Sequence, residues 1–164
     1  GAEMITLHGR TRKEGFSGKA DWDMIGKIKE LLEIPIIANG DIKNPKDAIN
    51  CLKKTKADGL MIGRGVLGSP WKIGEIDLAI KELKGFKEPN IEEKLLLINE
   101  HLDELIKEKG SHGLLIARKH ISWTCKNFQG ATDLRNKLVR AIDANEVKEL
   151  LYKAIETLNN DQKY

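Results

Sequence analysis

Ile34-Pro35-Ile36-Ile37-Ala38-Asn39-Gly40-Asp41 decides how this chain is read. Its first five residues form an apolar, β-branched run too short for a helix, which predicts a buried parallel strand. Asn39-Gly40-Asp41 then stands at the C-terminal end of that strand. Asn44 and Pro45 follow as N-cap and first residue of a helix running to about Thr55. The same grammar recurs on either side. Upstream, Met4-Ile5-Thr6-Leu7 leads into His8-Gly9-Arg10-Thr11-Arg12, and downstream Gly59-Leu60-Met61-Ile62 leads into Gly63-Arg64-Gly65. Polar residues and glycines gathered at the C-terminal ends of successive strands are what a parallel α/β barrel uses to build its active-site rim.

Between the first two strands, Trp22, Ile25, Ile28, Leu31 and Leu32 fall at helical spacing behind Asp21 as N-cap. Strand, helix, strand, helix, strand with short connections predicts parallel neighbours. Ser69-Pro70-Trp71 opens a helix running to about Leu83, the last of the barrel-like part. Gly85 to Asn90 is a linker of glycine, proline and charge. Everything beyond it has helical periodicity. A helix from Asn90 or Ile91 to Lys109 carries Ile91, Leu95, Ile98, Leu102, Leu105 and Ile106 on one face and ends at Gly110. Leu114 to about Asn127, Asp133 to Ala141 and Asn145 to Leu158 complete four helices with short connections, a small bundle. The expected organisation is α/β plus all-α, residues 1–84 as part of a barrel and residues 85–164 as a helical domain.

Three strands cannot close a barrel, which needs eight in roughly 250 residues. Gly1-Ala2-Glu3 enters its strand as Lys56-Ala57-Asp58 enters a later one, directly after a helix, so a helix is expected before residue 1. The chain reads as the C-terminal piece of something longer, and taken alone its sheet edges invite self-association.

Composition narrows the classes without naming one. The 164 residues are 40% hydrophobic and 32% charged, as in a soluble globular protein, and only 5% aromatic, so aliphatic residues must build the core. The formal charge of +3 permits a polyanionic partner but does not demand one. The two cysteines, Cys51 and Cys125, lack metal-ligand spacing and are expected as buried free thiols in a reducing cytoplasm. No signal peptide and no apolar run of about 18 residues is present, so a cytoplasmic protein without membrane or metal is expected.

Gly63-Arg64 at a strand end, followed by the turn Gly65-Val66-Leu67-Gly68, offers backbone amides and one fixed cation, which suits a phosphate. Asn39-Gly40-Asp41 lies one βα unit earlier on the same face, with Gly40 permitting close backbone approach and Asn39 and Asp41 supplying polar contacts. Phosphate sites in such barrels use the loops after the last two strands. Ordinary αβ turn chemistry would produce similar phrases. His8 ends the first strand at the same rim, where it serves either a cofactor or substrate hydrogen bond or a purely structural one. Arg10 and Arg12 follow on a long polar loop and either reach an anionic substrate or are solvated. In the bundle, Arg118, Lys119 and His120 beside Trp123, with Lys126, Arg135, Lys137 and Arg140, form a surface able to neutralise RNA phosphates. Consecutive residues cannot all share one helix face, and Trp123 fits a core position better than a base-stacking one.

On these residues the sequence resembles the bacterial tRNA-dihydrouridine synthases, most closely the B-type branch. The phrases that carry the resemblance are residues 8–12, residues 34–42, residues 57–65 with Gly68-Ser69-Pro70-Trp71, and Ala117-Arg118-Lys119-His120-Ile121-Ser122-Trp123. They span nearly the whole chain in order. The resemblance implies the last three βα units of an FMN-containing TIM (β/α)8 barrel followed by a helical tRNA-binding domain. It implies reduction of the uridine C5–C6 double bond in tRNA, with NADPH reducing the flavin and the target base taken out of its stack. By the same resemblance Asn39, Gly40, Asp41, Gly63 and Arg64 hold the FMN ribityl phosphate, with His8 near the flavin ring or target uracil. Arg10, Arg118, Lys119 and His120 are the expected tRNA contacts. The family's catalytic cysteine and flavin-contacting lysine belong to an N-terminal half that these residues do not include, and neither Cys51 nor Cys125 matches the catalytic position. The 164 residues alone are therefore expected to be inactive. Two other readings stay open: another barrel enzyme for FMN or a phosphate ligand with an unrelated helical tail, and a non-catalytic RNA-binding module.

Overall fold

The Ile36–Asn39 segment is the central strand of a three-stranded parallel sheet in the computed structural model, which describes residues 1–161. We label the elements in chain order as β1 (Ile5–His8), α1 (Trp22–Leu31), β2 (Ile36–Asn39), α2 (Pro45–Thr55), β3 (Gly59–Met61), α3 (Lys72–Ile80), α4 (Ile91–Lys109), α5 (His112–Thr124), α6 (Ala131–Leu138) and α7 (Ala144–Asp161). A single 3-10 turn, Arg64–Val66, follows β3. The chain forms two compact units. One comprises Gly1–Val66 with Pro70–Phe86, and the other Leu67–Ser69 with the chain from Lys87 onward.

In the first unit the order is β1-β2-β3, both pairings parallel, with Ile5 opposite Ile36, His8 opposite Asn39, and Asn39 opposite Met61. Parallel register with a two-residue period divides the side chains cleanly. Ile36 and Ala38 are buried completely, and Ile5, Leu7, Leu60 and Ile62 pack beside them with Ile25, Ala48, Cys51 and Ile76 of the helices. Thr6, His8, Ile37, Asn39, Gly59 and Met61 alternate onto the opposite face. Fully burying an isoleucine stabilises by about 1.5–3 kcal/mol, so Ile25 and Ile36 anchor the helix-covered face.

Local chemistry sets the helix starts. Asp21 accepts from the Met24 amide and Asn44 from the Asp47 amide, each at 2.9 Å, and Pro45 opens α2 without an amide to leave unpaired. Asp58 carries one long-range tie: its carboxylate accepts from the Ile36 amide and the Lys29 ammonium, both at 2.7 Å, fastening the start of β3 to β2 and α1. The Lys29 ammonium first, then the Ile36 amide, hold the Asp58 carboxyl below its ordinary pKa. Helix α3 is shorter than its periodicity suggests. Glu82 takes a left-handed φ of 56°, and its amide bonds back to the Ala79 carbonyl, so the helix stops before Leu83.

The second unit is helical. Asn90 and Glu93 form a reciprocal capping box at the start of α4, and Gly110 caps its end. Leu95, Ile98 and Leu102 of α4 join Leu114, Ala117 and Ile121 of α5, Leu138 of α6, and Val147, Leu151 and Ile155 of α7 in one core. Helix α5 ends at Thr124 rather than near Asn127, because Cys125 turns inward and is completely buried while Asn127 adopts a φ of 64°. Helix α6 begins two residues before Asp133, after Gly130 at φ 78°. Among the described residues no helix is long and apolar enough to cross a membrane.

Candidate active site

The C-terminal ends of β1, β2 and β3 meet on one rim of the first unit. The Gly9 amide donates to the Asn39 carbonyl at 3.0 Å, and Asn39 Nδ2 donates to the Met61 carbonyl at 2.6 Å, so each strand end is bonded to the next. The loop after β3 lies directly against the loop after β2. A Cβ on Gly65 would collide with the Ile42 carbonyl oxygen, and only glycine fits there.

Gly40 answers to a packing constraint that its sequence did not reveal. Its φ is 119°, and an added Cβ would sit 2.8 Å from the Ala20 Cβ and 3.4 Å from His8 Cε1. The space on the Cβ side of Gly40 is filled by the protein's own β1–α1 connection. Gly63 is the opposite case, with no atom within 4 Å of where a Cβ would be. Beside that open backbone stands Arg64, whose side chain is exposed. An uncrowded glycine next to an exposed guanidinium fits an anion, and a phosphate group in particular.

Arg10 does not reach outward. Its side chain is 3% exposed and forms an ion pair with Asp41, 31 residues along the chain. Arg10 Nη2 donates to both Asp41 oxygens, at 2.9 and 2.7 Å, and to the Gly18 carbonyl at 2.8 Å, while Nε donates to the Ser17 carbonyl at 2.9 Å. Its Nη1 is buried without a hydrogen-bond partner. The Ala20 amide adds a third hydrogen bond to Asp41 at 2.7 Å. Burial raises the Asp41 pKa, but the Ala20 amide and the Arg10 guanidinium, helped by Lys43, outweigh it and hold the carboxyl below its ordinary value. Trp22 Nε1 closes the arrangement on the Gly40 carbonyl at 3.0 Å.

The β1–α1 connection is thereby a built structure. Thr11 and Glu14 bond each other through side chains and backbone, Ser17 donates to the Glu14 carbonyl, and Asp21 to the Gly9 carbonyl. At its tip Phe16, 74% exposed, lies with its ring centroid 4.2 Å from the Arg64 guanidinium carbon. Neither Phe16 nor Trp22 was singled out at this rim from sequence. The available signal was an aromatic residue between Gly15 and Gly18 in a chain with few aromatics.

In the helical unit the consecutive cations separate. Arg118 Nη2 donates to the Ala141 carbonyl at 3.1 Å and its Nε is buried, so it braces the α6–α7 connection. Lys119 is exposed. His120 stacks edge-on between His101, at 4.5 Å, and Trp123, at 5.3 Å; burial first, then His101, lower its pKa. Trp123 is half-buried against that ring and is not in the buried core. Lys137 and Arg140 border an open groove of about 650 Å³ together with Asn136, Asp133 and Glu146. Both cysteines are buried free thiols, their pKa values pushed up by burial to about 11. Among the described residues no group of three or more histidine, cysteine or carboxylate side chains is placed to hold a metal ion.

Comparison with known proteins gives this rim its context. The family model described as "Dihydrouridine synthase (Dus)" matches residues 1–160. A protein of Synechocystis named "Probable tRNA-dihydrouridine synthase 1" is 49% identical over 157 residues, covering 96% of this chain and 44% of that protein. One of Rickettsia conorii named "Probable tRNA-dihydrouridine synthase" is 43% identical over 150 residues, covering 91% and 45%. The "tRNA-dihydrouridine synthase B" of Pasteurella multocida is 43% identical over 130 residues, covering 79% and 39%. The chain thus spans less than half the length of these curated relatives.

Proposed function

The chain belongs to the dihydrouridine synthase family, and from that premise we propose that it is the phosphate-holding and tRNA-contacting part of a flavin-dependent enzyme that reduces the uridine C5–C6 double bond in tRNA. In this reading β1, β2 and β3 are the last three strands of an eight-stranded barrel whose other strands would cover the open sheet face. Residues 1–84 belong to the flavin-binding barrel and residues 85–164 to the tRNA-binding domain, and the protein works in the cytoplasm, where its substrate is made.

The observation that carries the reading is the exposed Arg64 beside the open Gly63 backbone, on the rim shared with Asn39, Asp41 and His8. Bound FMN would supply the hydride for the uracil ring, after reduction by NADPH. What these residues do is hold and orient. Arg64 and the Gly63 backbone receive the phosphate. Asn39, bonded to the β3 carbonyl, keeps the two carrier loops in register. Asp41 serves chiefly through Arg10, and Gly40 through the packing of Ala20. His8, at the end of β1 and exposed, is left to face the flavin ring or the base. On the helical unit Lys119, Lys137 and Arg140 are the cations placed to meet tRNA phosphates.

The test is flavin retention. Arg64→Ala in the intact protein should lose most of its FMN on gel filtration while keeping its circular dichroism spectrum. Unchanged flavin occupancy would refute the assignment. Assayed in parallel for dihydrouridine by mass spectrometry of digested tRNA, residues 1–164 alone should yield none.

A further inference from the structure

Arg64 alone is an exposed, flexible side chain, and a long exposed cation makes a poor site unless something holds it still. The structure supplies that something. Phe16 lies 4.2 Å from the guanidinium carbon at the tip of the β1–α1 connection. We propose that Phe16 is a positioning residue for the Arg64 phosphate grip, and that the Arg10–Asp41 pair is the lock that aims it. The inference rests on the reading of Arg64 as the phosphate ligand.

A guanidinium is planar and carries no acceptor. Its N–H donors lie in its plane, and an aromatic ring against one face leaves those donors available to an anion. Ring and phosphate therefore do not compete for Arg64. The ring restricts the guanidinium before a ligand arrives, which lowers the ordering cost of binding. Exposure of 74% argues against a packing role for Phe16 in the core. The tip is held from three sides. Arg10 takes the Ser17 and Gly18 carbonyls, Thr11 and Glu14 close the turn before Phe16, and Asp41 fixes Arg10 to the end of β2. The backbone next to Phe16 is thus referenced to the same strand end that supports the rim.

FMN and riboflavin differ by the phosphate alone, and that difference separates the possible roles. Affinities of the intact protein for both flavins are measured by fluorescence titration in Arg64→Ala, Phe16→Leu and Phe16→Tyr variants. Arg64→Ala should abolish the preference for FMN. Phe16→Leu should reduce that preference by about two- to five-fold, the worth of an exposed cation–π contact, with riboflavin affinity unchanged. Phe16→Tyr should retain the preference. Equal weakening of both flavins by Phe16→Leu would overturn the proposal in favour of a contact to the flavin ring or a general loop effect. No change for either flavin would overturn it outright, and the Arg64 reading would stand. A preference that survives Arg64→Ala would overturn that reading and this proposal with it. Phe16 is 74% exposed, so the leucine variant should fold as the parent does, and a matched melting curve checks it.

Discussion

Asp41→Ala should be the most damaging single change at the rim, and its cost can be worked from the geometry. The substitution removes the two carboxylate acceptors of Arg10 Nη2, leaving it the Gly18 carbonyl, and the acceptor of the Ala20 amide. It leaves a guanidinium that is 3% exposed, with no counter-charge and with one nitrogen already unpartnered. Breaking a fully buried pair costs about 3–5 kcal/mol, and because the Asp41 side chain is 26% exposed and water can enter, about 2–3 kcal/mol is expected. For a unit of this size that corresponds to a fall in melting temperature of roughly 10 °C or more. Thermal unfolding followed by circular dichroism reads the loss, and hydrogen exchange at the Asp21 amide, bonded to the Gly9 carbonyl, reads its location. The pH dependence gives an independent sign. The folded-state pKa of Asp41 is lowered, so its contribution is complete above the ordinary carboxylate value and disappears as the pH falls through the folded value. Asp41→Asn should therefore flatten the acid limb of the stability profile. A loss below about 0.5 kcal/mol, the level of an exposed surface pair, would refute the view of Arg10 and Asp41 as a structural lock.

Gly65→Ala should displace the loop after β3, because the new Cβ meets the Ile42 carbonyl oxygen, which is backbone and cannot rotate away; lowered FMN retention checks it. Cys51 and Cys125, with pKa values near 11, should react with a thiol reagent at neutral pH only on unfolding. Reaction of either at the rate of a free thiol would show that burial does not protect it.

The parts of this protein legible in its sequence are those governed by neighbours a few residues apart. Asp21 and Asn44 with Pro45 cap helices by bonding amides within the next turn, so their spacing alone reveals them. The β2 strand announces itself because a short β-branched run buried on one face has few alternatives. Helix ends were less legible. Glu82 and Asn127 adopt left-handed backbone without being glycine, and Cys125 ends α5 by turning into a core that its neighbours do not specify.

Which cations are displayed and which are held inside was decided by tertiary structure. Arg10 and Arg118 look like ligand-facing arginines in sequence, but each is drawn inward by an acceptor far along the chain, the Asp41 carboxylate and the Ala141 carbonyl. Gly40 reads as an approach for a ligand, and the folded chain adds that its Cβ side is taken up by Ala20. Sequence by itself determined the strand ends, their order and the family. Only the folded chain decided that Arg64 stands exposed with Phe16 against it, because a side chain's partner is set by distance in space, and that distance does not exist until the strands pair.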